Sequence, residues 1–125
     1  MRGKILNILS VLLGLLFLNG GLNKFFNYMP VPEDLPQPIS RDNEALMEII
    51  WLMPLIASAE ILGAILILFP KTRALGALVI FPVMVGILLT HIFVAPEGLV
   101  MAILIWAVFL WILYENKQKY FALMQ

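Results

Sequence analysis

The chain has 125 residues, 62% of them hydrophobic and 13% charged, and its formal net charge is zero. A soluble domain is about 45–50% apolar, so this chain carries more apolar surface than a water-facing fold of its length can hide. Its basic residues stand in ones and twos, with no stripe to neutralise nucleic-acid phosphates, and the absence of cysteine removes disulfides, thiolate nucleophiles, iron–sulfur ligation and covalent haem attachment together.

The first apolar run, Ile5 to Leu22, follows Arg2 and Lys4. At ~1.5 Å per residue it covers most of a ~30 Å hydrocarbon core. It ends in Asn19-Gly20-Gly21-Leu22, without a small-x-small cleavage pattern, and helical character continues through Lys24 and Phe26. We therefore expect a retained span over about residues 5–26 rather than a removed signal peptide. Residues 27–43 form a polar loop in which Pro30, Pro32, Pro36 and Pro38 favour extended or turn geometry. Ser40 is placed to cap the next helix, with Asp42 and Glu44 in its first turn. That helix, spanning about 45–69 and reaching back to its cap, is longer than a bilayer core requires. Either its first turns stand outside the hydrocarbon or Pro54 bends it.

Pro70-Lys71-Thr72-Arg73 makes a tight basic turn into a third span, about 74–94, whose Gly76, Pro82 and Gly86 are tolerated in membrane helices. Ala95-Pro96-Glu97-Gly98 is short enough to make the third span and the fourth, about 98–114, antiparallel neighbours. A polar-to-amphipathic tail completes the chain. The expected fold is thus all-α, an integral membrane four-helix antiparallel bundle forming a single domain over residues 1–125. Arg2, Lys4, Lys71, Arg73, Lys117 and Lys119 fall on one side of such a bundle, and Lys24 and Arg41 on the other. The excess of positive charge predicts both termini in the cytoplasm and the proline-rich loop outside. Trp106, Trp111 and Tyr114 suit a cytoplasmic interfacial belt, and the alternative for Trp106 is a position too deep to belong to it.

An ionisable group within a span costs at least ~2.5–3.5 kcal/mol on insertion scales. Glu60 is expected near the bilayer middle. Lys24 lies near the outer end of the first span, and because helical side chains lean toward their own N-terminus, the two charges lean toward each other across antiparallel helices. A buried ion pair is one reading; the others are a lysine that snorkels to the headgroups and a protonated Glu60 bonded to a backbone carbonyl. His91 is expected at roughly the depth of Lys24, with Asn19, Asn23 and Thr90 at adjoining levels and Glu48 and Glu97 at the rim. Asn19, Asn23, Lys24, Glu60 and His91 are therefore the candidate polar pocket. A seam of Asn7, Ser10, Gly14, Phe17, Gly21 and Lys24 should turn one face of the first span inward, and Ala57, Glu60, Gly63 and Ala64 share a face of the second. No ligand spacing specifies a metal site, and a haem held by two histidines would need more than His91. Phe25, Phe26 and Tyr28 suit interfacial anchors better than the floor of a ligand pocket.

The stretch Gly14-Leu15-Leu16-Phe17-Leu18-Asn19-Gly20-Gly21-Leu22-Asn23-Lys24-Phe25-Phe26, the later Glu60 and Gly63, the proline-basic turn and the two further spans together resemble the DoxX and DoxX-like family of small four-helix membrane proteins. The resemblance implies a bacterial inner-membrane protein serving a quinone-linked or thiol-redox complex, with a quinone as candidate ligand. Lack of cysteine argues against a direct thiol mechanism here, and no catalytic motif transfers. Three functions follow as expectations. The first is an accessory or quinone-interacting subunit of a membrane oxidoreductase, with oxidoreductase subunits as partners. The second is a small proton-coupled transporter working through Glu60, as a homodimer. The third is an assembly factor that holds a partner's membrane helices.

Overall fold

The computed structural model describes residues 2–29 and 37–125. The expected extended segment at Pro30, Pro32 and Pro36 lies outside the described residues. All regular structure among them is helical: α1 (Arg2–Phe26), α2 (Gln37–Glu48), α3 (Leu52–Leu68), α4 (Arg73–Phe93), α5 (Leu99–Glu115) and α6 (Lys117–Ala122), with a single 3-10 turn at Pro96–Gly98 between α4 and α5. Three of these segments are long and apolar enough to cross a membrane, four if α2 and α3 count as one bent span.

The expected 45–69 helix is two helices. α2 and α3 meet at 96° across a break of a few residues, and the reason is Pro54, third residue of α3. Its ring would strike the carbonyl four residues earlier if the helix continued upstream, and it has no N–H to offer that carbonyl. The chain instead turns at residues 49–51, with the Leu52 amide on the Ile49 carbonyl at 3.0 Å. α2 also begins earlier than expected, so residues 37–43 are helix rather than loop and Ser40 lies inside α2 rather than at its cap. Pro38 permits this because its fixed φ suits a first turn, where the missing N–H costs nothing.

In the core α1 packs on α3, α3 on α4, α4 on α5, and α5 back on α1. Without a hydrophobic drive inside lipid, such contacts depend on close van der Waals approach between small residues. A Cβ on Gly21 would stand 2.9 Å from the Ala57 carbonyl oxygen, and one on Gly14 3.1 Å from that of Ala64. Across the next interface a Cβ on Gly76 would meet the Gly63 carbonyl oxygen at 2.7 Å. The inward seam of α1 is buried at Ser10, Leu13, Gly14, Phe17 and Gly21. Ile67, Ile80, Met84, Phe109 and Ile112 fill the centre, while leucines, isoleucines and phenylalanines stay exposed around the long helices.

Trp106 is no interfacial anchor. Its indole N–H donates to the Met84 carbonyl in the middle of α4 at 2.9 Å. Its ring meets Phe81 and Phe109 edge-on, with centroids 6.2 and 5.4 Å away. An indole at that depth needs a protein acceptor, since lipid offers none. Tyr114, by contrast, is exposed and carries Lys117 over its ring at 4.1 Å.

Candidate functional site

Two polar centres sit at opposite ends of the α1–α3 pair. At the first, Lys24 Nζ lies 2.7 Å from Glu60 Oε1. Glu60 occupies the midpoint of α3 and is 4% exposed, while the Lys24 side chain keeps 28%. The approach works because the glycines of α1 leave room: a Cβ on Gly20 would stand 2.9 Å from Glu60 Oε2, and one on Gly21 3.2 Å from the Glu60 Cβ. Antiparallel helices whose side chains lean toward their own N-termini bring the two charges together although their Cα atoms are levels apart. Each ion offsets the other's desolvation, and the residual exposure falls on the ammonium.

Beside the pair, α1 ends on Asn27, in the left-handed region at φ 51, with its amide on the Asn23 carbonyl at 2.7 Å. Asparagine is among the few residues other than glycine that take this cap conformation readily. The chain then folds back on its own helix. The Met29 amide donates to Asn23 Oδ1 at 2.8 Å, the Tyr28 hydroxyl to the Asn19 carbonyl at 2.9 Å and also to Asn19 Oδ1, and Asn19 Nδ2 contacts Met29 Sδ at 3.2 Å. Asn19 and Asn23 therefore bind the returning turn. Tyr28 does more than anchor, since its hydroxyl holds that turn.

His91 is engaged elsewhere. Its Nδ1–H donates to the Ile87 carbonyl at 2.8 Å, one turn back on α4. The rest of the ring lies against Gly98, where a Cβ would meet Nε2 at 2.7 Å. The glycine contacts between α3 and α4 put His91 about one turn, ~6 Å, beyond the level of Lys24. Of the five candidate residues, Lys24 and Glu60 are joined directly, Asn19 and Asn23 through the turn at Tyr28 and Met29, and His91 closes the α4–α5 turn. Among the described residues no three His, Cys, Asp or Glu side chains gather as a metal would require.

The second centre was not foreseen as one. Arg73 opens α4 yet is 6% exposed. Its Nε–H donates to the Ile67 carbonyl at 2.8 Å, and Nη2 donates to Asn7 Oδ1 at 3.0 Å and the Leu68 carbonyl at 3.4 Å. Thr72 Oγ1 donates to the Leu66 carbonyl at 2.7 Å. The guanidinium thus caps the negative end of the α3 dipole and ties it to α1. The sequence signal was Asn7 in the inward seam, but nothing local linked it to a residue 66 positions away.

A model of the DoxX family matches residues 5–94. The chain belongs to the DoxX family. The match begins in the first turns of α1 and ends just past α4, so it includes Lys24, Glu60 and Arg73, whereas α5 and α6 of this DoxX protein lie beyond it. No curated protein and no solved structure matches the chain. Family membership and its apolar helices make this DoxX protein a multi-pass membrane protein.

Proposed function

We propose that this DoxX protein is an accessory subunit of a membrane oxidoreductase system, and that the Lys24–Glu60 pair is where a quinone head group or comparable polar ligand is met at the edge of the bilayer. The observation that carries this reading is the asymmetry of the pair: the carboxylate is sealed between helices while the ammonium retains 28% exposure. A carbonyl oxygen arriving from the lipid would accept a hydrogen bond from Lys24, whose charge the buried Glu60 sustains. The chain has no cysteine, so electrons would pass through the ligand and a partner subunit. On this reading the long helices form a four-helix antiparallel bundle in the inner membrane of a bacterium, with both termini cytoplasmic and the Lys24 end outside, as the distribution of Lys and Arg favours.

The test is native mass spectrometry of the protein gently extracted from its own host membrane. A retained quinone or a stoichiometric oxidoreductase subunit, lost in Glu60→Gln, supports the proposal. A bare monomer or homodimer overturns it. The depth of Glu60 at the midpoint of α3 favours one second reading, proton-coupled transport, which substrate-dependent proton movement in liposomes would reveal.

A further inference from the structure

We propose that α2 lies flat in the membrane interface at the Lys24 end and that the groove beneath it holds an acyl chain of a phospholipid from the adjoining leaflet. The inference rests on the chain being a membrane protein and is independent of any ligand at Lys24.

Length is the first argument. α3 alone has 17 residues, ~26 Å at ~1.5 Å per residue, close to the thickness of a hydrocarbon core. α2 is therefore not needed to complete the span, and with Arg41, Asp42, Glu44 and Glu48 among its 12 residues it is too polar to enter. The 96° bend turns it across the axis of α3. Register places the bend at the surface. The Gly21–Ala57 and Gly14–Ala64 contacts set the start of α3 level with the end of α1, and the contacts of Gly63 with Gly76 and Ile80 and of Gly76 with Ile67 set it level with about residue 89 of α4. Thr90 to Val94 consequently stand beyond the α3 start, at the height of α2.

Packing is the second argument. Ile39 and Leu46 of α2 and Ile49 just past its end share one side with Asp42 and Asn43, and Arg41, Glu44 and Glu48 fall on the other, an amphipathic division that suits a helix at an interface. No residue of α2 is buried. Between its apolar side and Thr90 and Val94 of α4 is an open groove of about 390 Å³, with Asp42 and Asn43 also on its wall. A volume in that range suits a small ligand or a length of hydrocarbon chain.

Continuity identifies the occupant. The groove adjoins a collar of exposed apolar side chains at the bend and at the end of α4: Met47 at 68%, Ile50 at 87%, Trp51 at 65% and Phe93 at 78%. Below them the exposed faces of α3 and α4, at Leu55 and Leu89, are lipid-facing surface. Trp51 at the junction is the residue type that settles at the headgroup level. The groove opens from a surface already covered by acyl chains, and its apolar wall is an extension of that surface. The polar side of α2 is net acidic, so attraction to anionic headgroups does not hold it down. Its attachment to α3 and its apolar side do.

The cysteine-free sequence makes the test direct. Leu46→Cys and Ile39→Cys on the groove side, and Glu44→Cys on the opposite side, are spin-labelled and reconstituted in phosphatidylcholine–phosphatidylglycerol vesicles. Collision with oxygen, which concentrates in the bilayer, is compared with collision with a water-soluble nickel chelate. We expect labels at 46 and 39 to be relaxed several-fold more by oxygen than by nickel, and the label at 44 to show the reverse. Nickel access at 46 and 39 would mean a water-filled groove and would overturn the proposal. Access to neither reagent would mean cover by protein, from collapse onto α4 or a second copy, and would overturn it equally. Oxygen dominance at 44 would exclude a helix lying flat. Failure of any arm leaves the quinone reading untouched, because Lys24 and Glu60 are intact in all three variants.

Discussion

The two ends of the α1–α3 pair each bury a cation, and they satisfy it differently. At one end Lys24 faces a carboxylate, which gains and loses protons. At the other Arg73 faces backbone carbonyls and the amide of Asn7, which do not titrate. A guanidinium's planar fork fits several fixed acceptors at once, whereas an ammonium is a compact charge that pairs with one ion. The difference separates a centre whose cation remains within reach of a ligand from one whose cation is sealed among fixed acceptors that hold helices together. That is why the functional proposal is attached to the Lys24–Glu60 pair and not to Arg73.

The sharpest way to break this contrast is to remove one charge at a time. Lys24→Ala leaves the nearly sealed Glu60 carboxylate without its partner, and truncating one partner of a buried pair costs about 3–5 kcal/mol. Thermal unfolding in detergent should show this loss. Glu60→Ala should be milder, because the Lys24 ammonium keeps 28% exposure and can reach toward the headgroups. If the two variants lose equal stability, the ends differ less than proposed.

At the other end Arg73→Met removes three donated hydrogen bonds and leaves the Ile67 carbonyl unsatisfied, for an expected loss of about 2–3 kcal/mol by the same measurement. Arg73→Lys keeps the charge without the fork and should recover only part of that loss. Full recovery would show that charge alone matters there, and the contrast between the centres would fail.

Smaller effects sharpen the picture. Ser10 is fully buried near the Arg73 end, and its hydroxyl has no partner among the described residues. Removing an unsatisfied polar group of this kind is close to neutral, so Ser10→Ala should leave stability unchanged or slightly raised. A loss above about 1 kcal/mol would mean that the hydroxyl does bond within this end of the pair.

The smallest effect concerns α6, where the Tyr120 hydroxyl donates to the Ala74 carbonyl at 2.9 Å. Burial pushes the Tyr120 phenol above its ordinary value of 10.0. The folded state thus holds this proton more tightly than the unfolded state. The contribution is fully present below pH 10 and is lost as pH rises through the raised value. Protection of α6 against hydrogen exchange, taken relative to the intrinsic base-catalysed rate, should fall in that alkaline window, and Tyr120→Phe should remove that fall.

The long helices were legible because apolar runs of spanning length permit few other structures, and their observed ends at Phe26, Phe93 and Glu115 lie within a residue of expectation. The break before α3 was not legible from hydropathy, which is continuous across Ile49, Ile50 and Trp51; Pro54 was its one local mark. The Lys24–Glu60 pairing was one of the readings open beforehand, because the lean of side chains along a helix is fixed by chirality. Arg73 was counted only as a charge that orients the chain, since its acceptors are carbonyls, and every residue has one. Trp106 escaped for the same reason: its acceptor is the backbone of Met84, and sequence does not show which carbonyl faces an indole.

The spacing of the small residues has a further consequence. Gly14 and Gly21 on α1, and Ala57 and Ala64 on α3, are each two turns apart, so sliding one helix along the other by ~10 Å would lay Gly14 on Ala57 and keep one of the two close contacts. Shape alone opposes that slip only through the contact it loses. The two charge centres are not repeated at this interval, and a slipped pairing would separate Lys24 from Glu60 and Asn7 from Arg73 together. The polar centres thus act as a vernier, adding their own penalty to a slipped alignment while α1 and α3 find each other in the bilayer.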